Sequence, residues 1–81
     1  MYKLLVVDDE KMIRMGIKNG IEWETIGVSE VFTAASAMEA LEIIEKERPQ
    51  IMLTDISMTE MSGLALMERV RELYDEEEMR I

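Results

Sequence analysis

The chain has 81 residues, enough for one domain but little for an α/β core, because a short chain buries a low fraction of its surface. It contains no cysteine and no histidine, so disulfides, thiolate metal sites, zinc chemistry and serine–histidine catalysis are not expected. Lys and Arg number 9 against 18 Asp and Glu, and the formal charge of −9 argues against binding to a nucleic-acid backbone.

In chain order, Lys3 to Val7 is a short apolar run rich in branched residues, suited to a strand covered on both faces. Asp8, Asp9 and Glu10 interrupt it at once, so it is not read as a signal peptide. No later apolar run approaches the roughly 20 residues of a membrane span, and the expectation is a cytoplasmic, acidic domain with no membrane contact. Glu10 to Ile21 is expected to be a helix with Met12, Ile13, Ile17 and Ile21 as its apolar positions and Lys11, Arg14 and Lys18 between them. Trp23 to Gly27 is expected to be a loop and Glu30 to Ala34 a second strand. Ser36 begins the next helix, with Glu39 at capping-box spacing and a buried stripe of Ala37, Ala40, Leu41 and Ile44; Pro49 ends it.

Ile51 to Thr54 forms a third strand that ends in Asp55. A loop spans Ile56 to Met61, and Ser62 is the expected N-cap of a helix from Gly63 to about Tyr74 with Leu64, Met67, Val70 and Leu73 or Tyr74 as its stripe. Asp75 to Glu78 is read as a solvated acidic turn, and Met79 to Ile81 as the opening of a fourth strand. The order β-α-β-α-β-α implies parallel strands with right-handed crossovers. Nine methionines are either flexible core filler or an adaptable contact surface.

Asp8, Asp9 and Asp55 fall at the carboxyl ends of two strands that would be neighbours, where open parallel sheets bind ligands. Crowded carboxylates repel unless a cation joins them, and an oxygen-only site suits Mg²⁺. A lone Asp after one strand would read as a turn residue; a pair after the first strand and a single Asp after the third read as a site.

Leu5-Val6-Val7-Asp8-Asp9-Glu10 and Leu53-Thr54-Asp55-Ile56-Ser57-Met58 resemble the two acidic motifs of bacterial response-regulator receiver domains. Met12 to Gly27, with Arg14-Met15-Gly16-Ile17 and Ile21-Glu22-Trp23, is similar to receivers fused to AraC-type DNA-binding domains. The resemblance implies a flavodoxin-like α/β fold, strand order 2-1-3, with the first helix on one face and the second and third on the other. It implies that Asp55 accepts a phosphoryl group from a sensor histidine kinase. It also implies that Asp9 ligates Mg²⁺ directly, that Asp8 acts through water, and that Ser57 offers a backbone carbonyl to the metal. The expected unit is a partial receiver, residues 1–81 as one domain, stopping at the start of the fourth strand.

The family's switch Ser/Thr and phosphate-pairing lysine lie beyond that point, so a switching defect is expected. Lys3 cannot replace the lysine, being about five residues of about 3.3 Å each from the acids, whereas Lys11 could approach them. Thr59 stands where the family usually has proline, Ala35-Ser36-Ala37-Met38 replaces a more polar turn, and Met38 and Ala65 make two helices more apolar than the family pattern. The open third-strand edge and helical faces lead to the expectation of a homodimer. The alternative is an excised or engineered half of a flavodoxin-like fold whose property is folding and self-association. A phosphatase using Asp55 as nucleophile lacks an identifiable general acid, so the chain is not expected to be an enzyme.

Overall fold

The computed structural model describes residues 1–55 and 63–73. Three parallel strands, β1 (Tyr2–Val7), β2 (Val28–Ala34) and β3 (Ile51–Thr54), pair in the order β2-β1-β3. The helices are α1 (Lys11–Gly20), α2 (Ala37–Glu47) and α3 (Gly63–Leu73), with a 3₁₀ turn at Trp23–Ile26. The architecture is that of a flavodoxin-like α/β unit, with the strand order and the division of helices between the faces that the sequence implies.

The central strand is buried on both sides. Leu4, Leu5, Val6 and Val7 are each almost fully removed from water, so alternation cannot be seen in their sequence. The period of two nevertheless sorts them into two cores. Leu5 and Val7 join Ala34, Met52, Ala37, Ala40, Ile44, Leu66 and Val70 under α2 and α3. Leu4 and Val6 join Val28, with Ile17 of α1, Trp23, Val31 and Ile51 packed against them.

Several local expectations are corrected. β2 starts two residues earlier than the apolar centre at Val31 and Phe32 indicates, because Tyr2 pairs with Val28 and the Tyr2 N–H reaches the Gly27 carbonyl at 2.8 Å. The Trp23–Gly27 stretch is a 3₁₀ turn closed by Gly27 at φ 90°, a conformation that glycine adopts without the steric cost of a Cβ. In α1 none of the four expected apolar positions is fully buried. Ile17 packs on the core, while Met12 is 87% exposed and Ile13 and Ile21 are also exposed. In α3 the stripe is Leu66, Met67 and Val70, with Leu64 exposed, so the helix is rotated from the expected 64-67-70 face. In α2, Leu41 is half-buried beside the fully buried Ala37, Ala40 and Ile44.

The α2 cap differs in one bond. Ser36 Oγ accepts the Glu39 N–H at 3.2 Å as expected, but Glu39 Oε2 accepts the Ala35 N–H at 2.7 Å, one residue ahead of the N-cap. At the other end the chain turns through Arg48 in the left-handed region, φ 47°, and its N–H closes on the Ile44 carbonyl at 3.0 Å before the buried Pro49. The loop 56–61, the Ser62 cap, Tyr74, the acidic turn 75–78 and the strand stub 79–81 lie outside the described residues.

Ile44 seals the core between α2 and the sheet, so Ile44→Ala should lower unfolding free energy by about 3 kcal/mol in urea titration. Ser36→Ala should cost about 1 kcal/mol.

Candidate functional site

Strand register brings the acids together. Leu4, Leu5, Val6 and Val7 pair with Ile51, Met52, Leu53 and Thr54. Two further backbone bonds carry the ladder past the strand ends: Asp8 N–H to the Ala34 carbonyl at 3.1 Å and Asp55 N–H to the Val7 carbonyl at 3.0 Å. Asp8 and Asp55 therefore leave neighbouring strands at the same level. By parity Asp8 follows Leu4 and Val6, and Asp55 follows Ile51 and Leu53, toward the side of the sheet that α1 covers. Both line a cavity of about 370 Å³ with Val6, Val7, Ile17, Leu53 and Thr54.

One carboxylate oxygen from each of Asp8, Asp9 and Asp55 lies within 4.8 Å of the others. Asp8 is the buried member at 8% exposure, Asp55 is half-buried and Asp9 is exposed. Asp8 Oδ1 accepts the Glu10 N–H at 2.8 Å, which tightens the turn into α1 and leaves its second oxygen for another partner. The Thr54 hydroxyl donates to the Asp55 carbonyl at 3.2 Å.

The donor set fits Mg²⁺. All donors are oxygens, and two oxygens bound to one Mg²⁺ at about 2.1 Å each stand at most about 4.2 Å apart. A spread of up to 4.8 Å thus needs the side chains to draw in slightly, or one of them to act through water. Ser57, the expected carbonyl donor, lies outside the described residues, as does Thr59.

The two lysines separate as expected in one case. Lys3 is engaged at the opposite end of the sheet, where its Nζ lies 3.4 Å from Glu47 Oε1. Lys11 is exposed at the first residue of α1. Arg14, expected only as one of the basic residues between the apolar positions of α1, brings its Nη1 to the Asp8 carbonyl at 2.8 Å. No residue-type pattern marks this contact, because its acceptor is a backbone carbonyl.

A model of the response regulator receiver domain matches residues 4–81. A response regulatory protein of Staphylococcus epidermidis is 36% identical over 73 residues, covering 90% of this chain and 29% of the relative. The transcriptional regulatory protein YesN of Bacillus subtilis is 43% identical over 70 residues, covering 86% of this chain and 19% of YesN. The chain therefore spans under a third of these relatives. Among solved structures, a two-component transcriptional regulator AraC from Clostridium phytofermentans superposes with a TM-score of 0.87 at 31% identity, covering 95% of this chain and 62% of that one. The receiver domain of the response regulator AraT from Geobacillus stearothermophilus gives 0.81 at 39% identity, covering 88% and 55%.

Repulsion within the acidic cluster should make the metal-free fold less stable than its neutralised variant. Asp9→Asn is expected to raise the melting temperature by a few degrees in chelator-treated, low-salt buffer, equivalent to about 1 kcal/mol. The gain should shrink in high salt, as read by calorimetry.

Proposed function

This chain belongs to the response regulator receiver domain family, and from that membership we propose that it is a phosphoacceptor of two-component signalling, modified on Asp55 by a sensor histidine kinase. The observation that carries the proposal is the meeting of Asp8, Asp9 and Asp55 carboxylate oxygens within 4.8 Å at the carboxyl end of the sheet.

The chemistry is nucleophilic substitution at phosphorus. An Asp55 oxygen forms the new P–O bond as the P–N bond to the donor imidazole breaks, and the imidazole leaves with its electron pair. Thr54 hydrogen-bonds the Asp55 carbonyl, and β3 pairing fixes the backbone from which the carboxylate projects. Asp9 directly, Asp8 through water and, by family resemblance, the Ser57 backbone carbonyl would hold Mg²⁺. When bound, Mg²⁺ offsets the charge that gathers between Asp55 and the incoming phosphoryl oxygens. The relatives bear the names of regulators, which fits a signalling role rather than that of an enzyme with turnover of its own.

In this reading the 81 residues act as one partial receiver domain in the cytoplasm. No helix among the described residues is long and apolar enough to cross a membrane. The partner proposed for the β3 side is a second copy. β3 is an edge strand among the described residues, Leu53 on it is 42% exposed, and Met12 and Ile13 of α1 are exposed as well. Sedimentation equilibrium should then show a dimer that Leu53→Glu converts to monomer; a folded monomer at micromolar concentration would sink this part.

Incubation with phosphoramidate and Mg²⁺ should add the mass of one phosphoryl group to the chain, and Asp55→Asn should abolish the gain. A gain that persists in Asp55→Asn, or none in the unmodified chain, would overturn the assignment of Asp55.

A further inference from the structure

We propose that Arg14 is a positioning residue for the acidic site, holding Asp8 from behind so that its carboxylate faces Asp9 and Asp55. The inference rests on the reading of these acids as a cation site. Three bonds close a small loop around the turn from β1 into α1. Arg14 Nη1 donates to the Asp8 carbonyl at 2.8 Å, the Glu10 N–H donates to Asp8 Oδ1 at 2.8 Å, and the Arg14 N–H donates to the Glu10 carbonyl at 3.1 Å. Arg14 therefore grips the turn twice, once by backbone and once by side chain.

The turn has little else to hold it. Asp8 itself is buried at the end of β1, but Asp9, Glu10, Lys11, Met12 and Ile13 are all exposed, and no residue of α1 is fully buried. The half-buried Arg14 side chain crosses from the helix to the strand end beside these exposed residues. With Oδ1 committed to the Glu10 amide, the direction of the remaining Asp8 oxygen follows from the orientation of this turn. Groups that orient metal ligands from behind typically govern affinity by about tenfold or more.

A charge effect has the opposite sign, which makes the proposal separable. A guanidinium acting as a cation alone would repel Mg²⁺, and removing it would tighten binding. A guanidinium that orients Asp8 weakens binding when removed. A general loss of α1 stability is a third possibility, and Trp23 offers its control. The Trp23 indole N–H donates to the Ile17 and Lys18 carbonyls at 3.1 and 3.2 Å, at the far end of the same helix, so Trp23→Phe loosens α1 without touching Asp8.

Mg²⁺ affinity is to be measured by calorimetry on the unmodified chain, Arg14→Met, Arg14→Lys and Trp23→Phe, with folding checked by far-ultraviolet circular dichroism. Arg14→Met should bind Mg²⁺ about tenfold more weakly. Arg14→Lys, which keeps the charge but loses the planar fork, should fall between it and the unmodified chain. Trp23→Phe should lower the melting temperature and leave the affinity unchanged. Equal or tighter binding by Arg14→Met overturns the proposal, as does an equal loss in Trp23→Phe. If Arg14→Met does not fold, Arg14→Lys decides: weaker binding supports the role, and unchanged or tighter binding overturns it. An unmodified chain that binds no Mg²⁺ overturns the reading of the acids, and this inference with it; binding that is indifferent to Arg14 overturns this inference alone.

Discussion

The pairing of β1 with β3 is the constraint on which everything else depends. Four residue pairs, Leu4 with Ile51 through Val7 with Thr54, set the level at which each strand ends. A slip of one residue would turn Asp55 to the opposite face of the sheet and remove Ile51 from the α1-side core. The register is guarded at the opposite end too. The Lys3 N–H donates to Gln50 Oε1 at 2.8 Å and the Gln50 N–H donates to the Lys3 carbonyl at 3.1 Å, while Lys3 Nζ pairs with Glu47. Lys3 is thus distant from the acids yet helps to align them, because a parallel ladder fixed at its start is fixed at its end.

Against that alignment stands the repulsion of three carboxylates in a chain whose formal net charge, these three included, is −9. The fold tolerates it by grading the exposure of the group. Asp9 stays in water, Asp55 is half-immersed, and the buried Asp8 receives the Glu10 amide. The most buried of the three carboxylates thus has a hydrogen-bond donor, which is what the cost of burying a charge requires.

The fold was largely legible in the sequence because its signals were strong and local. Two apolar runs ending in acids, a Ser36–Glu39 spacing and Pro49 each act over a few residues, and the element order they mark is the observed one. What was misread depended on partners far along the chain. Helical spacing made Met12, Ile13 and Ile21 look like core, but spacing specifies a face and not what covers it. Leu64, Met67 and Val70 fit helical geometry as well as Leu66 and Val70 do, and the choice between those faces was made by contact with α2 and the sheet. At the site, the three acids were visible as strand ends, whereas Arg14 was not, since its bond is to a backbone carbonyl and leaves no mark in residue type.

The 3₁₀ turn after α1 has a consequence of its own. Its Trp23 indole is tied to the last carbonyls of the helix, and its Gly27 is tied to the first residue of β1. With Arg14 at the opposite end, α1 is moored by polar clasps rather than by a wedge of buried side chains. Clasps of this kind open singly and at low cost compared with extracting an apolar stripe. The helix can therefore lift from the sheet as a unit of local unfolding while the three strands stay paired and keep Asp8 and Asp55 at one level.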